Sequence, residues 1–294
     1  MSSLFRTNLY AGGSSPAKMQ QARFFAADCI VYDLEDSVAE TEKDAARLLV
    51  YQTLTHHRPP NKYVIIRVNG IYSPYLDEDL EMAVLARPDA IRIPKVEHAD
   101  EVRNIEQKIT KLEEKYHIEV SSTRIWCNIE SYPGALQAME IASCSNRIEA
   151  LALGAEDFTA SLNARRTKQG LEIFHARNLI LLACRNAGVC AIDAVFSDIN
   201  DLEGLQEDTI LTRNLGFDGK TVIHPRQIDV VNSCFTPSQR EIYNAIRILQ
   251  ALEEGAKQKT GVVVVDGSMV DKPMELRAQT ILAQARAAGL EVSL

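Results

Sequence analysis

The chain has 294 residues, 46% of them hydrophobic and 24% charged, with a formal net charge of −8, ordinary values for a folded enzyme-sized domain. It carries no basic block of five or more residues, which excludes the electrostatic footprint of a nucleic-acid binder. The most apolar run, residues 178–196, is broken by Arg185 and Asp193 and falls short of a membrane span.

The opening segment, Met1 to Arg6, is too short and polar for a signal peptide, so a cytosolic location is expected. Short apolar runs then alternate with helical patterns. The predicted strands are Thr7–Ala11, Cys29–Asp33, Tyr63–Asn69, Ala90–Lys95, Arg124–Glu130, Ala150–Gly154, Val189–Val195 and Thr221–His224. Between them the periodicity predicts helices that include Ala39–His56, Ala99–Tyr116, Gly134–Ser143, Glu172–Ala187 and Asp201–Leu215. Ser131 before Pro133 and the pair Ser197-Asp198 supply N-terminal caps, and Gly188 and Gly216 sit where C-terminal caps belong.

Largely apolar, non-alternating strands separated by helices describe an α/β fold with a parallel sheet buried on both faces, and eight such units in about 230 residues fit a closed (β/α)₈ TIM barrel. An open doubly wound sheet is the alternative, but Ala11-Gly12-Gly13-Ser14-Ser15 only loosely imitates its phosphate loop. The barrel is expected over residues 1–235. Residues 236–294 form an extension: a long amphipathic helix from Pro237 to Lys257, a hairpin of Val262–Asp266 and Met269–Asp271, and a last helix, Glu275–Ala288. This extension is expected to pack on the barrel surface or on a neighbouring subunit.

In such a barrel the chemistry projects from the C-terminal strand ends, and here those ends are unusually charged. They read Asp33-Leu34-Glu35-Asp36, Arg67-Val68-Asn69, Arg92-Ile93-Pro94-Lys95, Asn128-Ile129-Glu130-Ser131, Gly154-Ala155-Glu156-Asp157 and His224-Pro225-Arg226. Glu130 and Asp157, from neighbouring strands, can reach one point, and two carboxylates completed by water and substrate oxygens suit Mg²⁺. Arg67 offers a planar fork to a carboxylate or enolate oxygen. Together they fit a reaction that generates an enolate.

Other conspicuous residues have plainer readings. A lone strand-end Glu is more often a cap or ion-pair partner, and His224 before Pro225 is as readily structural as basic. His56-His57 reads as a solvated turn and Trp126 as barrel packing. The run from Lys108 to Lys115 reads as a solvated helix face. The six cysteines show no metal-binding spacing and read as buried reduced thiols.

Taken together, these segments resemble the citrate lyase β-subunit family, with the malyl-CoA and citramalyl-CoA lyases, along nearly the whole chain. The resemblance runs through residues 31–38, 42–47, Ile66-Arg67-Val68-Asn69, Ile93-Pro94-Lys95, Ile129-Glu130-Ser131, Gly154-Ala155-Glu156-Asp157-Phe158, Ser197-Asp198-Ile199-Asn200, residues 215–220, His224-Pro225-Arg226-Gln227-Ile228 and residues 267–273. It implies that Glu130 and Asp157 ligate Mg²⁺, that Arg67, with Glu130, binds substrate oxygens, and that Asp271 acts as an acid/base in an adjacent subunit's site. It places His224 and Pro225 near the CoA portion of a thioester substrate. It further implies a homo-oligomer, commonly a trimer or hexamer, with no nucleic-acid or membrane partner.

The implied activity is retro-Claisen cleavage of a citryl thioester to an acetyl thioester and oxaloacetate. Residues 154–161 read more like free-standing relatives, among them citramalyl-CoA lyases that yield pyruvate, and malyl thioesters are a further alternative. Tyr10-Ala11-Gly12-Gly13 departs from the family's usual Pro-Gly turn. An aldolase acting on free acids and a catalytically silent scaffold barrel are the remaining alternatives. A silent barrel would have lost one of Arg67, Glu130, Asp157 or Asp271, and all four are present.

Overall fold

The computed structural model describes residues 4–257, 263–265 and 268–292. Eight parallel strands close into a barrel in chain order: β1 (Thr7–Gly12), β2 (Cys29–Asp33), β3 (Tyr63–Arg67), β4 (Ala90–Ile93), β5 (Arg124–Ile129), β6 (Ile148–Leu153), β7 (Cys190–Asp193) and β8 (Gly219–Val222). Around and after them run α1 (Pro16–Ala22), α2 (Lys43–His57), α3 (Leu76–Ala86), α4 (Ala99–Lys115), α5 (Tyr132–Ser143), α6 (Ala155–Ser161), α7 (Leu171–Ala187), α8 (Leu202–Leu215) and α9 (Ile228–Phe235). This is the (β/α)₈ barrel expected from the sequence. Closure is made by β1 on β8, with Asn8 opposite Thr221 and Leu9 opposite Val222.

The barrel core gathers Cys29, Val31, Ile65, Ala90, Trp126, Ala150, Ala152 and Ile192. Side chains along a strand alternate between faces, so the next positions of the same parity are Asp33, Arg67, Arg92 and Asn128. Apolar packing below thus gives way to charge above on β2, β3, β4 and β5. At the lower end Phe5 meets Tyr63 and Trp126 edge-on, with ring centroids 5.0 and 5.1 Å away. Trp126 Nε1 donates to Glu149 at 2.9 Å and the Tyr63 hydroxyl donates to the same carboxylate, so each ring buries its apolar body while satisfying its polar tip.

Helix ends follow local chemistry. Ser131 caps α5 by accepting the Gly134 N–H at 3.3 Å, and Gly188 and Gly216 end α7 and α8 in the left-handed conformation that glycine tolerates. The cap of α8 is Asp201, which accepts from Gly204 N–H at 2.9 Å, and not the expected Ser197-Asp198: these lie in the preceding loop, where Asp198 accepts from Asn200. His56 and His57 are exposed in the last turn of α2, at the helix end where they were expected.

The chain divides into two compact units, one of them Phe5–Asn232. The other comprises the described residues from Ser233 onward together with Leu4. In it α10 (Gln239–Lys257) and α11 (Lys272–Ala287) pack through Ile242, Ala245, Ala278, Leu282 and Ala285. Strands β9 (Val263–Val265) and β10 (Ser268–Val270) pair antiparallel, Met269 opposite Val264. Of the expected hairpin, Val262, Asp266 and Gly267 lie outside the described residues. No described helix is long and apolar enough to cross a membrane.

Candidate active site

At the C-terminal mouth of the barrel lies a cavity of about 370 Å³ lined by Tyr10, Asp33, Asp36, Arg67, Arg92, Asn128, Glu130, Asp157 and Thr221, among others. Arg67, Glu130 and Asp157 therefore meet in one space, contributed by the ends of β3 and β5 and by the first turn of α6.

Arg67 is locked by the loop that follows β2. Its Nε and Nη2 donate to the two Asp33 oxygens at 2.7 and 2.9 Å, and Nη1 lies 2.7 Å from Glu35 and 3.2 Å from Asp36. The fork expected to face substrate is thus engaged by Asp33. Of the five guanidinium hydrogens, three are taken by Asp33 and Asp36. Asp33 in turn accepts the backbone N–H groups of Glu35 and Ser37. Lys43, reaching up from α2, donates to the carbonyls of Leu34 and Glu35. The loop is thereby held rigidly, the condition for a site that must present charge at a fixed place.

Glu130 is buried, and its two oxygens differ. Oε1 accepts from Asn128 Nδ2, whereas Oε2 is buried without a hydrogen-bond partner. Burial, seconded by the negative charge of Glu35, pushes its carboxyl up to about 7. The approach of Gly154 makes this placement possible, since a Cβ there would stand 2.4 Å from Glu130 Cγ. Asp157 is half-exposed, with Lys95 Nζ 3.7 Å away. Lys95, in a left-handed backbone conformation (φ 54°) uncommon for a side-chain-bearing residue, donates to Glu35 at 2.7 Å.

Around this mouth Asp33, Glu35, Asp36, Glu130 and Asp157 outnumber Arg67, Arg92 and Lys95. The orphan oxygen of Glu130, the raised proton affinity and this surplus of negative charge all fit a cation. Carboxylate oxygens from Glu130 and Asp157 are donors that suit a hard ion completing its shell with water and substrate oxygens.

The other expected residues lie elsewhere. Asn69 is turned away from the cavity and bound through its N–H and Nδ2 to Asp79 of α3. His224 Nδ1 accepts the Arg226 N–H, a capping role. With Pro225 it lines a neighbouring cavity of about 450 Å³, which shares Tyr10, Ser37 and Ile223 with the first. Asp271 belongs to the other unit, where it caps α11 by accepting from Met274 N–H at 3.4 Å.

Four lining residues carried no role in the sequence reading: Tyr10, Arg92, Asn128 and Thr221. Arg92 is 1% exposed and burial pushes its guanidinium below the usual range. Its Nε donates to the Asn128 side-chain oxygen. The Tyr10 ring lies 5.3 Å from its guanidinium carbon and 4.7 Å from that of Arg67, within cation–π reach. Strand parity was the available signal, because Arg92 shares the face of Ala90.

Residues 6–225 match the family model described as HpcH/HpaI aldolase/citrate lyase. The chain is 42% identical over 284 residues to citrate lyase subunit beta of Leuconostoc mesenteroides subsp. cremoris, a match covering 97% of this chain and 94% of that one. It is 36% identical over 283 residues to (3S)-malyl-CoA thioesterase of Cereibacter sphaeroides, covering 96% and 95%. The crystal structure of the protein CitE from Mycobacterium tuberculosis, in complex with magnesium, acetoacetate and coenzyme A, is similar with a TM-score of 0.79 at 30% identity, covering 96% of this chain and 98% of that one. On its sequence and its barrel alike, the chain belongs to the HpcH/HpaI aldolase/citrate lyase family.

Proposed function

We propose that this chain is a Mg²⁺-dependent carbon–carbon lyase that cleaves a citryl thioester to an acetyl thioester and oxaloacetate. The observation that carries the reading is the single cavity in which Arg67, Glu130 and Asp157 meet. The citrate lyase β relative and the magnesium- and coenzyme A-bound neighbour support it.

In this reading Glu130, through its unpartnered Oε2, and Asp157 hold the metal. A bound Mg²⁺ supplies Lewis-acid polarisation of the oxo-acid oxygens. Arg67, rigid on Asp33, stabilises the negative charge that develops as the carbon–carbon bond breaks and the thioester enolate leaves. Asp271 of a neighbouring copy, as acid/base, takes the proton the substrate hydroxyl loses as that bond breaks and returns it to the enolate carbon, which gives the C-terminal unit a purpose and makes the functional protein a homo-oligomer. The second cavity, with His224 and Pro225, takes the CoA arm. A second reading, supported by the malyl-CoA thioesterase relative and by residues 154–161, replaces citryl by a malyl or citramalyl thioester.

The test is cleavage of citryl-CoA and (S)-citramalyl-CoA side by side by the purified protein, with oxaloacetate and pyruvate detected separately. Oxaloacetate alone, abolished by a chelator and restored by Mg²⁺, is the expected result. Pyruvate alone moves the chain to the second reading. No metal-dependent product from either removes the citryl and citramalyl readings.

A further inference from the structure

Among the described residues four arginines are buried, Arg67, Arg92, Arg147 and Arg177, and three of them are neutralised by the protein. Arg67 meets Asp33, Glu35 and Asp36. Arg147 meets Glu113 at 2.6 Å, and Arg177 meets Asp193 and Asp208 at 2.9 and 2.8 Å. Arg92 alone has no ion-pair partner among the described residues. Its Nη1 is buried without any hydrogen-bond acceptor, and it lines the active-site cavity. Thr221 Oγ1, on β8 and lining the same cavity, is also buried without a partner.

A desolvated guanidinium with free N–H groups is costly unless an anion meets it. Tyr10 covers it and Asn128 takes its Nε, but neither carries charge. The missing anion is therefore brought by what enters the cavity. The same residues say where on the substrate that anion sits. Asn128 bridges Arg92 to Glu130 through its amide, and Arg92 pairs in register with Trp126, four positions below Glu130. A substrate gripped near Glu130 by its oxo-acid end thus reaches Arg92 with the group at the far end of its chain.

We infer that Arg92 is the specificity residue of this site and binds a second carboxylate, the one that distinguishes oxaloacetate from pyruvate. This rests on the lyase reading and sharpens it, selecting citryl over citramalyl and malyl thioesters. A methyl group in that place leaves Arg92 buried and unpaired. A site built around a polar contact rejects the analogue lacking it far more strongly than an apolar pocket rejects a change of size.

The experiment compares wild type, Arg92→Met and Arg92→Lys in cleavage of citryl-CoA and (S)-citramalyl-CoA with Mg²⁺, alongside calorimetric binding of oxaloacetate and pyruvate. Arg92→Met is expected to lose about 100-fold in kcat/KM on citryl-CoA while changing less than about 10-fold on the citramalyl substrate. Its affinity for oxaloacetate should fall and that for pyruvate should not, and Arg92→Lys should recover part of the loss. Equal losses on both substrates, or none, overturn the assignment. So does wild type that binds pyruvate as tightly as oxaloacetate, a result that holds even if the variants fail to fold. Absence of cleavage of either thioester by wild type strikes the lyase reading instead, and the binding comparison still decides the role of Arg92.

Discussion

Two buried charge clusters in this barrel are built on opposite plans. Between β7, β8, α7 and α8, Arg177 and Lys220 share Asp193 and Asp208. Two cations face two anions, each carboxylate bridges both, and the group is closed to solvent. At the mouth, five carboxylates face three cations, and Glu130, Arg92 and Thr221 each keep a buried atom without a hydrogen-bond partner. A closed ionic group buried at such cost holds elements in register, whereas an open one waits for a ligand. Arg177 Nη1 in the closed group also lacks a hydrogen-bond partner, so the balance of charge, more than the count of unmade bonds, separates the scaffold from the site.

The sharpest way to break this contrast is to unbalance the closed cluster. Asp193→Asn should cost about 3–5 kcal/mol of stability, since it leaves buried cations short of a partner. Burial opposes the Asp193 charge, but Lys220 and Arg177 outweigh it and bring its carboxyl down to about 2. Its contribution is therefore fully present above the ordinary aspartate range and lost as pH falls from about 4 to about 2. Denaturant titrations at several pH values should show the gap between wild type and variant narrowing across that window. A gap that does not depend on pH would argue against an ionic role.

The open cluster should respond in the other currency. Glu130→Gln should lower Mg²⁺-dependent turnover by roughly 3–4 kcal/mol of barrier stabilisation. Its thermal midpoint without metal should stay at or above that of wild type, because a buried negative charge has been removed. A parallel fall in stability would make Glu130 a structural residue. A slightly smaller effect is expected of Gly154→Ala, whose Cβ must displace Glu130: turnover should drop about 100-fold, the usual consequence of shifting a reacting group by about an ångström. Smallest of all, Ser131→Ala should cost about 1 kcal/mol by removing the cap of α5, seen in the denaturation midpoint. If it affects turnover as strongly as Gly154→Ala, the boundary between scaffold and site runs deeper into the strand end than proposed.

How much of this was readable in advance depended on whether a signal was local. β2 was expected and found at Cys29–Asp33, because five consecutive buried residues leave little ambiguity. Elsewhere the expected strands ran one or two residues too far, to Asn69, Lys95, Glu130 and Gly154. The chain there leaves the ladder, with Glu130 lining the mouth and Asn69 bound instead to Asp79. The last strand was expected at Thr221 and begins at Gly219. Gly219 and Lys220 look like a turn, yet Gly219 is there because a Cβ would strike the Phe5 carbonyl. Lys220 is buried because its partners, 27 and 12 residues away, neutralise it. Arg67, Glu130 and Asp157 could be grouped from the rule that strand ends carry chemistry. Arg92 could not be singled out by that rule, since its meaning lies in a partner it lacks, and a missing acceptor is visible only in three dimensions.

The aromatic seal of Phe5, Tyr63 and Trp126 has a consequence for traffic. With the lower end of the barrel stoppered, the cavity has one doorway, and whatever sits deepest leaves last. In the proposed reaction, with the oxo acid seated against Arg92 as inferred above, the acetyl thioester departs first and the oxo acid second, an ordered release. Steady-state kinetics should then show oxaloacetate inhibiting in competition with the thioester substrate, and the acetyl thioester inhibiting without such competition.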